Sequence, residues 1–446
     1  MRLFYLILFS VIFSTPVFAA LTIEITEGVE GAQPIADVPF CWKGQGTPPQ
    51  DIAQIIDGDL RRSGKFNPLK RTDMLNKPCS RAEIRFQNWR ILEIPNLVIG
   101  TIEQRGTLYD IEFRLFDVYR AKLLKGLRYQ QLSTEQLRKA AHQIADSIYE
   151  ELTGERGAFD TSIAYIKKLD DNRGFGLFIA DSDTEAEQVV LRSPSAILSP
   201  MWSPKGRKLA FVKTGKSNPA IYMLDIDKIG DPKIPLEEKQ AKRLSPAFEK
   251  FSSPAWSPDG KKMAMVKYEN GSADIFVMDL GSNDLERITD HWSIDTEPTW
   301  SPDGQSLIFT SERGGSPQLY QYFFSSKKIK RLTFEGAQNL RAAFSPDGRM
   351  ITFVHLSDNK DYNIATLELD GGIMRIVSRK ADGESEHESP SFAPNGSMII
   401  YAANYHKGKM AKKTALSAVS VDGGFHQRYI NKTGSGEVRE PAWSSF

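Results

Sequence analysis

The spacing of apolar residues divides the chain into a leader, a mixed segment and a long strand-rich segment. Leu3 to Phe13 is an apolar run broken only by Ser10 and ending near Pro16. It is too short to span a bilayer. It follows the single charge of Arg2 and leads to Val17-Phe18-Ala19, with modest or small residues at the −3 and −1 positions of a cleavage site. Residues 1–19 are therefore expected to be a cleaved secretory signal peptide. No Cys follows the run, which argues against a lipoprotein anchor. From Ala20 the pattern alternates, with Leu21, Ile23 and Ile25 on one side and Thr22, Glu24 and Thr26 on the other. This is a strand pattern, backed by the flexible stretch Glu27-Gly28-Val29-Glu30-Gly31. A strand at a free end either pairs with its own domain or is lent to a partner sheet. Pattern alone leaves both open.

Between residues 34 and 154 the period changes from element to element. Pro34 to Phe40 reads as the first core strand. Pro48 and Pro49 suit a first helical turn, with Thr47 as its cap. Ile52, Ile55, Ile56 and Leu60 then keep helical spacing as far as Arg62, before Ser63-Gly64. Ser80-x-x-Glu83 is a capping-box pattern that predicts a second helix. Strands are expected near Leu97–Gln104, Leu108–Asp117 and Ala121–Gln130, the first two joined at Arg105-Gly106. Ser133-x-x-Gln136 opens a last helix ending at Gly154, with Ile144, Ile148 and Leu152 on its buried face. Residues 20–155 thus read as a small α/β domain with a mixed sheet. Its charged residues show no paired spacing suited to acid-base work and read as solvated surface.

From Phe159 onward the chain is strand after strand, organised by a repeated string. Trp-Ser-Pro-Asp-Gly stands at Trp256–Gly260 and again at Trp300–Gly304. Looser copies begin at Trp202, Phe344 and Phe392, and a stub at Trp443 closes the chain. A spacing of about 44 to 54 residues between lead aromatics, in a strand-rich unit, is the signature of a propeller blade. Within the string, Pro presets φ at the first corner, Asp or Asn tolerates the second, and Gly supplies φ > 0 at the exit. Around the third copy, four strands can be read: Glu297–Trp300, Ser306–Thr310, Gln318–Tyr322 and Ile329–Thr333. The first unit has only three, at Thr161–Ile166, Gly176–Ala180 and Gln188–Leu191, while Glu440–Ser444 is a leading strand with nothing after it. Joining the two closes a ring of six blades over 156–446 and removes its open edges. The 228–242 insertion and the basic 405–413 stretch read as solvated loops. Six dipeptides precede the turn strings: Ser199-Pro200, Ser253-Pro254, Glu297-Pro298, Arg341-Ala342, Ser389-Pro390 and Glu440-Pro441. They gather at one mouth of the channel, where loops on a rigid scaffold carry function. The residues beside them (Glu249, Lys250, Asp295, Thr296, Asn339, His387, Glu388, Arg439) are polar and mixed in charge, which suits a protein partner.

Composition narrows the function. Lys+Arg of 57 against Asp+Glu of 56 lacks the basic excess of a general nucleic-acid binder. Two cysteines, Cys41 and Cys79, either form a disulfide in an oxidising compartment or remain as buried thiols. Closed, such a loop is worth about 3 to 4 kcal/mol in the chain-entropy model. The alternative of a propeller-capped hydrolase needs Gly-x-Ser-x-Gly, and no such string occurs. The six His are scattered, with no i, i+4 pair for zinc. Asp181-Ser-Asp183 and Asp225-Ile-Asp227 lack the Gly and the closing Glu of a calcium loop. No catalytic residue, metal or cofactor is expected.

Several segments resemble one family across essentially the whole chain. They are Pro34–Trp42, Asp59–Pro68, Leu152–Gly154, Ile163–Tyr165, Thr296–Trp300 and Pro441–Ser444. The turn string is common to many propellers, but Ser63-Gly64-Lys65-Phe66 joined to this propeller is specific. The chain resembles the TolB family, the periplasmic component of the Tol-Pal system. The resemblance implies an α/β domain plus a six-bladed β-propeller, and a non-enzymatic, monomeric periplasmic adaptor. It implies docking of the peptidoglycan-associated lipoprotein Pal at the propeller mouth, and of TolA on the mature N-terminal strand, for outer-membrane integrity and constriction at division. Carried over by position, the Pal face includes Lys250, Ser253 and Thr296. With the neighbouring mouth residues, the expected face is Lys250, Ser253, Asp295, Thr296, Glu297, Asn339, Arg341, His387 and Glu440. The TolA strand would be Ala20, Leu21, Ile23 and Ile25 with the residues around them.

Overall fold

The structure, a computed structural model, describes residues 31–169, 174–215, 218–228, 240–378, 384–405, 413–429 and 437–446. The expected signal peptide, the strand carrying Ala20, Leu21, Ile23 and Ile25, and most of the 228–242 and 405–413 loops lie outside these ranges. The N-terminal layer contains β1 (Gln33–Asp37), β2 (Cys41–Lys43), α1 (Ile52–Arg62), β3 (Phe66–Pro68), α2 (Phe86–Ile91), β4 (Asn96–Arg105), β5 (Leu108–Asp117), β6 (Lys122–Leu132) and α3 (Gln136–Thr153). Its sheet runs β3-β1-β4-β5-β6, with β2 also on β4. β1 is parallel to β3 and β4, while β4, β5 and β6 are antiparallel. Period-two alternation puts Ile35 in the core under α1 and α3, with Ile52, Ile56, Ile144 and Ile148, and Ala36 in the opposite core with Trp89 and Phe116. Each such side chain withdrawn from water stabilises by about 1.5–3 kcal/mol.

Two helix starts differ from the sequence reading. α1 begins at Ile52, capped by Asp51, whose Oδ1 accepts the Gln54 amide at 3.1 Å. Asp51 also holds Arg71 in a two-bond pair at 2.6 and 2.8 Å, so it outcompetes Thr47 as the cap. At Ser80-x-x-Glu83 the reciprocal capping-box bonds do not form; instead Ser80 Oγ donates to Glu83 Oε1 at 2.7 Å, and the Cys79 amide donates to Glu83 Oε2 at 3.0 Å. Only a single 3-10 turn, Arg81–Glu83, follows, because Ile84 is extended and buried in the core with Trp89 and Phe116. Cys41 and Cys79 are joined, with Cα atoms 5.6 Å apart.

Six four-stranded blades follow. The inner strands of blades two to six are Ile197–Trp202, Lys250–Trp256, Asp295–Trp300, Gln338–Phe344 and Glu384–Phe392. Blade one is β7 (Ser162–Lys168), β8 (Phe175–Asp181) and β9 (Gln188–Ser193), and its inner strand is the end of the chain, Val438–Trp443. That strand pairs antiparallel with β7, placing Trp443 opposite Ile163. Trp443 Nε1 donates to Thr161 Oγ1 at 2.8 Å, and the Ser444 amide donates to Ser162 O at 2.8 Å. The tail therefore closes the ring.

The repeated string explains itself locally. In each tight turn the glycine has φ between 66° and 75°. At Trp300–Gly304 the Gly304 amide donates to Ser301 O at 2.9 Å, and Ser301 Oγ donates to Asp303 Oδ1 at 2.5 Å. The leading Trp ties blades together. Trp300 Nε1 donates to Ala255 O at 3.1 Å, and Trp202 Nε1 donates to Ala442 O at 3.0 Å, each a carbonyl of the preceding blade. These turns occupy the end of the propeller that faces the N-terminal layer, where Asn395 Nδ2 donates to Arg156 O at 3.0 Å.

Candidate protein-docking face

The opposite mouth is built from the connections that lead into each inner strand. Here one irregularity repeats six times. Ser199, Ser253, Glu297, Arg341, Ser389 and Glu440 all adopt left-handed backbone, with φ between 49° and 56°. At each, the pairing register to the next strand shifts. Five of the six precede a proline, which has no N–H to give the ladder, so the strand bulges around it. A non-glycine residue in this region costs about 1–2 kcal/mol. The sequence marks these positions as the dipeptides before each turn string, but places them at the start of the strand rather than at a bulge within it.

Four bulge side chains interlock. Arg341 Nε lies 3.1 Å from Glu297 Oε1, and its Nη1 donates to Ser389 Oγ at 2.6 Å and lies 3.5 Å from Glu440 Oε1. Glu297 Oε2 accepts the Arg341 amide at 3.0 Å and Thr310 Oγ1 at 2.9 Å. Glu440 Oε2 accepts the Ser199 amide. Blades four, five, six, one and two are thus linked. Burial works against charge on Arg341, but the Glu440, Glu297 and Glu388 carboxylates outweigh it and raise its pKa. Burial also raises Glu388, with Glu440 adding to the effect and Arg341 opposing it.

Burial separates the expected face into two groups. Lys250 is exposed, and Ser253, Thr296, Glu297, Arg341 and Glu440 are half-buried. Asp295, Asn339 and His387 are each 0% exposed, which removes them from any contact surface. They brace the blades instead. Asp295 Oδ2 accepts Arg313 Nη2 at 2.7 Å. Asn339 Nδ2 donates to Gln318 Oε1 and Glu335 O, both at 2.8 Å, and its Oδ1 lies 2.9 Å from His355 Nδ1. His387 Nδ1 lies 2.8 Å from Ser378 Oγ. Strand alternation turns these three inward.

The polar reading of the rim missed its aromatics. Phe248, Trp292 and Phe334 are 94%, 82% and 73% exposed, one in each connection leading into blades three, four and five. Large exposed apolar groups on one face mark interaction sites. The available signal was an aromatic inside an otherwise polar connection, as in His291-Trp292-Ser293.

At the other end, a buried ionic cluster joins the N-terminal layer to the turn after β8. Arg138 Nε donates to Asp181 Oδ2 at 2.6 Å and Arg138 also binds Asp183, while Arg62 binds Asp59 and lies 3.9 Å from Asp183. His142 Nδ1 is 2.7 Å from Asp59 Oδ2, and its Nε2 is 3.6 Å from Asp181 Oδ2. Burial alone would lower the pKa of His142, but Asp181 and Asp59 raise it to about 10. Asp59, His142 and Asp183 have ligand-type atoms within 4.8 Å of one another. A metal needs a neutral imidazole and free carboxylates. Here Asp181 and Asp59 favour the protonated imidazole, and the Arg62 and Arg138 guanidinium groups hold the acids, an arrangement that reads as an ionic clamp.

The comparisons agree with this architecture along the whole chain. The family of the TolB amino-terminal domain matches residues 21–124, and that of the TolB beta propeller domain matches residues 149–446. The chain is 44% identical to the Tol-Pal system protein TolB of Thioalkalivibrio sulfidiphilus, over 96% of this chain and 94% of that one. It is 43% identical to the protein of the same name from Nitrosococcus oceani, over 97% and 95%. The crystal structure of TolB from Acinetobacter baumannii superposes with a TM-score of 0.80 at 34% identity, covering 94% of this chain and 98% of that one. An α/β layer joined to a tail-closed six-bladed propeller, with sequence likeness over its full length, makes this chain a member of the TolB family of Tol-Pal system proteins.

Proposed function

We propose that the protein is a non-enzymatic periplasmic adaptor of the Tol-Pal system. It docks the lipoprotein Pal on the open propeller mouth and TolA on its mature N-terminal strand, and so supports outer-membrane integrity and constriction during division. Residues 1–19 are removed on export. The observation that carries the reading is the mouth itself: a rigid ring of six bulges, rimmed by exposed Phe248, Trp292 and Phe334. A flat platform with exposed aromatics at its edge suits a protein better than a small substrate. The sequence also lacks the nucleophile-elbow string of a propeller-capped hydrolase.

The test uses surface-immobilised soluble Pal and the mature chain. Ser253→Trp places a bulky side chain on the mouth and is expected to abolish Pal binding. Deleting residues 20–31 is expected to abolish binding to TolA and leave Pal binding intact or stronger. Full TolA binding by the deletion variant would refute the strand assignment, and labelling by a serine-directed probe would refute the non-enzymatic one.

A further inference from the structure

The helices α1 and α3 cover one face of the N-terminal sheet and meet the propeller through the ionic clamp. The other face is covered by α2, the 3-10 turn Arg81–Glu83 and the segment leading to them. Four large apolar side chains stand out on this side: Leu75, Ile91, Tyr119 and Leu123 are 60%, 69%, 55% and 41% exposed. Three of them share one end of the sheet. Arg90 donates from Nε to Val118 O at 3.1 Å and from Nη2 to Tyr119 O at 3.0 Å, which ties the end of α2, with Ile91, to the β5–β6 turn. Phe86 packs edge-on against Phe116, and Phe116 stands opposite Leu123 across the ladder. Leu75 follows Met74, which is buried in the same core. The charge around them is one-sided. Residues 74–93 and 117–123 hold six Lys and Arg against three Asp and Glu, in a chain whose totals are 57 and 56. Lys77, Arg81, Arg85 and Lys122 are exposed and form no ion pair among the described residues. Of the three acids, Glu83 is taken up by Ser80 and the Cys79 amide, and Asp117 by the amide and guanidinium of Arg120.

We propose that this face of the N-terminal layer rests on an anionic phospholipid surface. The contact is independent of the propeller mouth. Separate apolar tips with cations around them suit the bilayer interface: the tips enter the boundary between headgroups and acyl chains, and the cations meet phosphates. Tyr119 suits that depth, with an apolar ring and a hydroxyl that stays in water. Neither component suffices alone. Apolar tips by themselves would not distinguish anionic from zwitterionic lipid, and surface cations by themselves would be screened by salt. A second copy of the chain docked by two-fold symmetry would set the unpaired cations against their own equivalents, which is unfavourable. The backbone beneath the face is braced. Arg90 holds α2, and the Cys41–Cys79 bridge fixes the segment carrying Leu75 and Lys77 to β2. The contact lies on the surface of the bilayer, since no helix among the described residues is long and apolar enough to cross it.

Co-sedimentation of the mature full-length chain with vesicles tests the proposal. Vesicles of phosphatidylglycerol mixed with phosphatidylethanolamine are expected to carry the protein down, and vesicles of phosphatidylcholine alone are not. Binding is expected to fall as salt rises. Arg85→Glu and Lys122→Glu should each weaken it about fivefold or more, and Ile91→Asp by about tenfold. Thermal unfolding should not change, because these side chains are at the surface. Lys330→Glu, on an exposed outer strand of the propeller, reverses a charge equally and is expected to sediment as wild type. Binding of soluble Pal is expected to be the same in all four variants, so failure of the lipid contact leaves the reading of the mouth in place. Wild type that stays in solution with the anionic vesicles overturns the proposal, as do Arg85→Glu and Ile91→Asp that sediment normally. An equal loss in Lys330→Glu also overturns it, because a cation anywhere on the chain would then serve. Retention on immobilised polyglutamate without vesicle binding would assign the face to an acidic protein instead.

Discussion

Removing the proton-binding centre of the ionic clamp should change how stability depends on pH. His142 is 2% exposed and sits among Arg62, Arg138, Asp59, Asp181 and Asp183, three positive groups facing three negative ones when it is protonated. Its pKa is near 6.5 in an unfolded chain and about 10 in the folded protein. The folded state holds the proton more tightly, so the associated stability is complete below pH 6.5 and is lost as pH rises through 10. Within that window each pH unit is worth about 1.4 kcal/mol, so the step from pH 7.5 to 9.5 should cost about 2–3 kcal/mol. Asp146 and Asp57, at about 6 and about 7, and Tyr149 and Tyr429, at about 12, lie outside the step from pH 7.5 to 9.5. The assay is urea unfolding at fixed pH, followed by tryptophan fluorescence, for wild type and His142→Gln. The glutamine keeps a hydrogen-bonding head but cannot carry the charge. Its stability should be nearly flat over this range, and lower than wild type by about 3–5 kcal/mol at pH 7.5 because buried acids lose a partner. An equal pH slope in the two proteins would show that the proton on His142 contributes nothing to the clamp.

Three further outcomes follow from burial and closure. Trp443→Ala removes the Thr161 bond and the packing at the closing strand, and should cost about 3–5 kcal/mol, seen as early proteolysis near the C-terminus; wild-type resistance would count against the closure. Asp37 is 0% exposed with neither carboxylate oxygen bonded, and burial followed by Asp57 raises its pKa well above the ordinary value. Asp37→Val should therefore stabilise the fold by about 1–3 kcal/mol at neutral pH and shrink the loss of stability expected as pH rises above the ordinary carboxylate range, where the folded state binds more protons; calorimetric melts at increasing pH decide it. Reducing Cys41–Cys79, separated by 38 residues, should cost about 3–4 kcal/mol, read as a lower denaturant midpoint with dithiothreitol.

Much of the architecture was legible because it depends on local rules that repeat. Pro, Asp and Gly at fixed offsets dictate the turn, and the mismatch between a three-stranded start and a lone final strand dictates closure. What could not be read depends on side-chain direction and on distant partners. Asp295 and Thr296 are adjacent polar residues in one strand, yet one is fully buried against Arg313 and the other faces the mouth. Register at the bulge decides which is which, and the register is invisible in a single sequence. Thr47 and Asp51 were both chemically able to cap α1. Arg71, 20 residues further on, selects Asp51. The clamp escaped notice because its members come from α1, α3 and the turn after β8, brought together only when the layer packs on the propeller.

The two ends of the propeller are built by different means, and the difference bears on function. In the repeated turn strings, positive φ falls on glycines, for which it costs almost nothing, and the turn of blade six meets the N-terminal layer. At the mouth, positive φ falls on Ser199, Ser253, Glu297, Arg341, Ser389 and Glu440, six residues with side chains to accommodate. Glycine there would relieve about 1–2 kcal/mol at each position. It would also delete the groups through which Glu297, Arg341, Ser389 and Glu440 hold one another. Strain of this kind persists where the surrounding structure over-determines a geometry, and it clusters at sites that must present groups in fixed positions. A ring that only had to close would have no use for it. The ring of strained, interlocked bulges, rimmed by exposed Phe248, Trp292 and Phe334, therefore fits the proposed docking role, whereas the glycines of the turn strings serve only to reverse the chain.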